Sequence, residues 1–337
     1  MVFLIFTFYF TYNELVKYMN YICLILSFIT SFILCLIFIP LLKQIKVRQA
    51  VRILGPKNHY KKNGTPTMGG IIFIISTLIM FLIFNMNKNV NPLEILLIIC
   101  PFIFYGVVGF LDDYLKVVRR NNDGLSVKTK FFLQVFFSIF FVIIFYKQLD
   151  TKINIFGYFI DFGLFYYLFI ILIFVSTTNA VNISDGLDGL VSGEVLIILV
   201  SVLFISNNIL INNFIFALVG SILGFLCFNI HPAKIFMGDV GSLSIGASLA
   251  IIFIVLKIEI LLIVFCFIQV FEVISVILQV IYFKITKGKR LFKMAPFHHH
   301  LELCRINEME VTIILWSGTL IFCLIGLLLF NYFFKGF

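Results

Sequence analysis

Five aspartates lie just past the ends of long apolar runs: Asp112 and Asp113 in GFLDDYLK, Asp185 and Asp188 in NISDGLDG, and Asp239 in FMGDVG. Carboxylates gathered at one membrane surface suit metal binding, proton handling or phosphate chemistry. Three consecutive histidines, His298, His299 and His300, follow Ala295-Pro296-Phe297. Neighbouring histidines cannot share one metal at ordinary helical spacing, but imidazoles near neutral pKa can donate to phosphate oxygens or move protons. Asn179 and Asn182 are three residues apart, as are Asp185 and Asp188, so each pair shares a face if the segment is helical. Amides and carboxylates interleaved with Gly186 and Gly189 suit a polar ligand with several hydroxyls or a ring edge. An Asx-rich turn would explain one Asp and one Gly of that set and no more. Asp112 and Asp113 point about 100° apart on a helix, which predicts one acid facing a cavity and the other a loop or a proton. Asp239, in a Gly-rich turn, reads equally well as a structural residue.

The elements that must position these groups are membrane helices. Of the 337 residues, 62% are apolar and 12% charged, against about 25% charged in a soluble domain; the mean hydropathy is +1.13. Runs of roughly 18 apolar residues are spanning candidates. Ten are predicted, near 21–42, 69–86, 93–111, 131–147, 164–180, 190–206, 213–228, 243–257, 259–283 and 312–334, with the eighth short enough to be tilted or covered by neighbours. The fold class expected is therefore all-α, one polytopic domain over 1–337. A small outer β-hairpin is expected in 148–163 from its alternation around a glycine. The apolar stretch before the first span is too short to cross and reads as interfacial.

Charge gives the orientation. The loops at 43–67, 112–130, 181–189, 229–242 and 284–311 hold 19 of the 25 Lys and Arg. The positive-inside rule puts them in the cytoplasm, with all five aspartates and the histidine run, and both termini outside. The net charge of +9 thus reflects contact with anionic lipid and not nucleic acid. Six of the seven cysteines fall in spans, where they read as packing residues without disulfide or zinc spacing. Acids, bases and histidine without a redox motif point to a divalent ion holding a diphosphate. Lys61, Lys62, Lys116, Arg120, Lys128 and Lys130 are available as its cationic partners, and GTPTMGG lacks the GK[ST] ending of a nucleotide-hydrolysing P-loop.

These motifs, KKNGTPTMGG, GFLDDYLKVVRR, NAVNISDGLDGL, NIHPAKIFMGDVGSLSIGA, EVISVILQVIYF and KMAPFHHHLE, occur in the order found in one family. The chain resembles the phospho-N-acetylmuramoyl-pentapeptide transferases, within the polyprenyl-phosphate N-acetylhexosamine-1-phosphate transferase superfamily. The resemblance implies a bacterial inner-membrane enzyme with a cytoplasmic cleft. It implies Mg2+-dependent transfer of phospho-MurNAc-pentapeptide from UDP-MurNAc-pentapeptide to undecaprenyl phosphate, releasing UMP, and a homodimer. By motif, Asp112 and Asp113 are the paired active-site acids, Asp239 the magnesium ligand and His298 a further catalytic group. Asn182, Asp185, Gly186, Leu187, Asp188 and Phe236 would build the uridine side. Lys62, Thr67, Asn179, Gln279, Ala295, His299 and His300 would line the rest of the cleft, with Lys116 and Lys130 on phosphates. Asp123 stands where relatives carry a basic residue, and Ser184 where threonine is common. Rival readings are a sister enzyme transferring GlcNAc-1-phosphate from UDP-GlcNAc, a cation- or proton-coupled transporter, and a non-catalytic scaffold. A transporter would place its acids at mid-membrane depth.

Overall fold

The computed structural model describes residues 2–45, 64–86, 90–119 and 123–334, with side chains from residue 18 onward. In chain order the helices are α1 (Val2–Gln44), α2 (Gly70–Asn85), α3 (Pro92–Arg119), α4 (Val127–Phe145), α5 (Leu164–Ser184), α6 (Leu190–Leu203), α7 (Ile209–Asn229), α8 (Gly238–Val255), α9 (Leu262–Phe265), α10 (Phe267–Ile285), α11 (Phe297–Leu303) and α12 (Glu308–Phe333). Among the described residues eight helices are long and apolar enough to cross a membrane, and two shorter apolar ones, α2 and α6, bring the set to the ten expected. The chain is a multi-pass membrane protein, and among the described residues its elements are helices and one hairpin.

That hairpin pairs β1 (Lys152–Ile155) with β2 (Tyr158–Asp161) through the two-residue turn Phe156-Gly157. Both turn residues have positive φ, the twist that suits a tight hairpin, and Asn154 Oδ1 accepts the Gly157 amide at 2.9 Å.

At the centre stands α8, packed against α2, α3 and α5, with α1 lying along α7 on one flank. Its sequence GDVGSLSIGASLA presents glycine, serine and alanine on every side, so neighbouring backbones approach closely in the absence of a hydrophobic drive between helices. The eighth span is short because its neighbours cover it, with 83% of its residues buried.

Four details differ from the sequence reading. First, α3 does not stop at Asp112 but runs two further turns to Arg119. No Gly or Pro interrupts LDDYLKVVR, and Lys116 and Arg119 stabilise the negative end of the helix. Second, the stretch read as interfacial continues into the first span as one helix of 43 residues. Third, the ninth run is broken into a 3-10 turn (Glu259–Leu261), α9 and α10, with Cys266 leaving helical geometry. There the Phe265 ring seats against Gly326 of α12 and edge-on to Phe253. Fourth, α5 ends at Ser184 and residues 185–189 form turns, so Asp185 and Asp188 do not share a helix face.

Candidate active site

The carboxylates meet where α3 crosses the start of α8. Gly109 makes the crossing possible: a Cβ there would lie 2.1 Å from the Asp239 carbonyl oxygen. One turn further along α3, Asp112 and Asp113 reach Asp239 in the first turn of α8, and one oxygen from each lies within 4.8 Å of the others. The helix N-terminus favours the Asp239 charge. Gly238, at φ +73°, completes the close fit, since a Cβ there would strike Asp113 Oδ2 at 2.3 Å and Thr67 Oγ1 at 2.9 Å.

Two ammonium groups enter this cluster. Lys116 Nζ lies 2.6 Å from Asp112 Oδ2, 3.5 Å from Asp113 Oδ1 and 2.9 Å from Asp239 Oδ2. From α4, Lys130 Nζ donates to Asp239 Oδ2 at 2.7 Å and to Asn182 Oδ1 at 2.9 Å. Asn182, on α5, turns its amide nitrogen to Asp239 Oδ1 (3.0 Å) and Ser242 Oγ (2.8 Å). One turn back, Asn179 Nδ2 donates to Gln134 Oε1 at 2.8 Å. The asparagines thus do share a face, and they meet Lys130 and Gln134, which share a face of α4. Three carboxyl groups thus meet two ammonium groups, in a site where Asp112 and Asp113 are 3% and 2% exposed. Hard oxygen donors so close together fit a divalent cation such as Mg2+.

The two neighbouring acids each bond a different backbone amide. Asp112 Oδ1 accepts the Leu125 amide at 2.8 Å, and Asp113 Oδ2 the Val240 amide at 3.2 Å. Both nonetheless belong to one cluster, because Lys116 draws them together. At the Asp123-Gly124 departure, Gly124 packs on the Asp112 carboxyl while Arg119 donates to the carbonyls of residues 123 and 124.

The other predicted residues form a second zone. The Thr67 strip is laced to the Phe236 strip by Phe236 N to Pro66 O (2.8 Å) and Gly69 N to Phe236 O (2.9 Å). Leu187 is buried with Leu190, Ile268, Val311 and Leu315, so its side chain is a packing residue. Asp188 Oδ2 accepts the Ala233 amide and lies 3.0 Å from His231 Nδ1, while Glu308 Oε1 accepts the Asp188 amide at 2.9 Å. These three acid and imidazole groups also lie close enough to hold an ion, giving His231 partners that spacing did not reveal. Gln279 is bonded to the backbone of Leu291 and Phe292 and anchors the loop ahead of Ala295. The histidine run splits: His298 packs on Gly186, His299 Nδ1 lies 2.8 Å from Glu302 Oε2, and His300 Nδ1 accepts the Lys293 amide at 3.1 Å. Lys62 lies outside the described residues. Gln134, Glu272 and Glu308 went unnoticed as site residues. The first is one helical turn beyond Lys130, and the second is an acid inside an apolar run, so each carried a readable signal.

The chain is similar to known proteins over nearly all its length. Residues 95–257 match Glycosyl transferase family 4, and residues 62–74 match the phospho-N-acetylmuramoyl-pentapeptide-transferase signature 1. A phospho-N-acetylmuramoyl-pentapeptide-transferase of Halalkalibacterium halodurans is 44% identical over 312 residues, covering 91% of this chain and 96% of the relative. The protein of that name in Bacillus subtilis is 41% identical, covering 90% and 95%, and the one in Listeria innocua 44%, covering 91% and 98%.

Proposed function

Because the chain belongs to the phospho-N-acetylmuramoyl-pentapeptide-transferase family and is a multi-pass membrane transferase of that kind, we propose that its substrates are UDP-MurNAc-pentapeptide and undecaprenyl phosphate and that its metal is Mg2+. The observation that carries this is the meeting of Asp112, Asp113 and Asp239 with Lys116 and Lys130 at one helix crossing. Asp239, with the other two acids beside it, would hold the ion, and bound Mg2+ supplies neutralisation of the diphosphate. Lys116 and Lys130 then bind substrate phosphate oxygens, and both already bond the Asp239 carboxylate. Asn182, Asp185, Gly186, Leu187, Asp188 and Phe236 form the uridine side, Leu187 through its backbone. Lys62, Thr67, Asn179, Gln279, Ala295, His298, His299 and His300 border or support the rest of the cleft.

In the reaction an oxygen of undecaprenyl phosphate attacks the β-phosphorus. The bond from that phosphorus to the bridging oxygen breaks, and UMP leaves with the electron pair. Asp112 orients the acceptor phosphate or takes its proton. Direct attack is favoured over a phosphoryl-enzyme because Asp113 is buried and spends one oxygen on the Val240 amide. The domain spans 1–337, lies in the inner membrane with its cleft toward the cytoplasm and works as a homodimer.

Purified protein supplied with both substrates and Mg2+ should release UMP, and UDP-GlcNAc should not replace the nucleotide substrate. Turnover of UDP-GlcNAc alone would move the assignment to the sister enzyme.

A further inference from the structure

We infer that Glu272 is the positioning residue of His298, fixing the tautomer and direction of that ring for the transfer reaction. The inference rests on the reading of His298 as a cleft residue. Glu272 is a fully buried acid on α10, in a run of apolar residues where an unsatisfied carboxylate is costly. Its oxygens are committed to the first turn of α11. Oε2 accepts the Phe297 amide at 2.6 Å, and the His298 amide lies 3.2 Å from Oε1 and 3.3 Å from Oε2. Pro296, at the cap position, offers no side-chain acceptor, so a carboxylate from another helix does that work.

The same Oε2 lies 3.3 Å from His298 Nδ1, off the line of a hydrogen bond. His298 is 1% exposed and, among the described residues, neither ring nitrogen has a hydrogen-bond partner. On the far edge, Nε2 faces the DGLDG turn, 2.2 Å from where a Gly186 Cβ would stand. The imidazole is therefore held between an intramembrane carboxylate and the turn that carries Asp185. A small rotation places the Nδ1 proton on Glu272 and leaves Nε2 free for substrate, the division by which a carboxylate orients a catalytic histidine. His299 Nδ1 lies against Glu302 of its own helix, and His300 accepts the Lys293 amide.

The test uses the full chain in lipid nanodiscs with 15N-labelled histidine, His298 being assigned by the signal lost in His298→Gln. The native spectrum should show the proton on Nδ1, and Glu272→Gln should move it toward Nε2. In UMP release, Glu272→Gln should lower kcat about tenfold or more with KM changed less than about twofold. In a His298→Gln background it should cost less than about twofold more. A native proton on Nε2, a His298 signal unmoved by Glu272→Gln, or equal losses in both backgrounds overturns the inference. The last result would make Glu272 a mere cap of α11. If the transfer reading is wrong, neither protein releases UMP, and the spectra alone decide the role of Glu272.

Discussion

Asp239 is gripped from three helices: Lys116 and Lys130 reach one oxygen and Asn182 the other. A carboxylate so fixed has its charge placed before substrate arrives, which is where electrostatic preorganisation is strongest. Asp239→Asn keeps the shape and removes the charge. It should cut Mg2+-dependent UMP release by at least about a hundredfold, and near-normal activity would refute its assigned role. Direct attack predicts that labelled UMP does not exchange into UDP-MurNAc-pentapeptide without lipid phosphate; exchange would establish a phosphoryl-enzyme instead. Gln134 was passed over in the sequence although it sits one helical turn beyond Lys130. The structure pairs it with Asn179, so Gln134→Leu should strand a buried amide and cost about 1–3 kcal/mol in thermal unfolding.

At the scale of elements, the site depends on how closely α3 and α8 pass. Gly109→Ala would drive a methyl into the Asp239 backbone. Overpacking of this kind costs about 1–3 kcal/mol, and a shift of about 1 Å in a catalytic group costs about a hundredfold in rate. Loss of kcat beyond the loss of melting temperature is therefore expected, and unchanged kcat would show that the crossing has slack. Apolar periodicity located the spans, since hydrocarbon thickness demands long apolar runs. It could not see that α3 outlasts its apolar stretch, because Asp112, Asp113 and Lys116 satisfy one another and let helix continue where hydropathy falls. Nor could it find the break at Cys266, which depends on the fit of Phe265 against Gly326 of another helix.

For the whole molecule, the ten apolar helices among the described residues are even in number, and the proposed orientation has both termini on one side and the acidic site on the other. Cys304 lies exposed in the predicted cytoplasmic loop, while Cys23, Cys35, Cys266 and Cys323 are buried. A membrane-impermeant maleimide should therefore label Cys304 in inside-out vesicles and spare it in intact cells. Labelling in intact cells would invert the topology.

By itself the sequence determined the solvent, the number of apolar helices and the hairpin, because each follows from local composition and pattern. It also marked Asp112, Asp113 and the asparagine pair. The family resemblance added Asp239 to them; only the tertiary structure decided how Asp239 meets Lys116, Lys130 and Asn182, that Asp188 turns toward His231 and Ala233, and that the three histidines part company. Those outcomes depend on which backbones can touch, and the lysine contacts to Asp239 join residues more than a hundred positions apart.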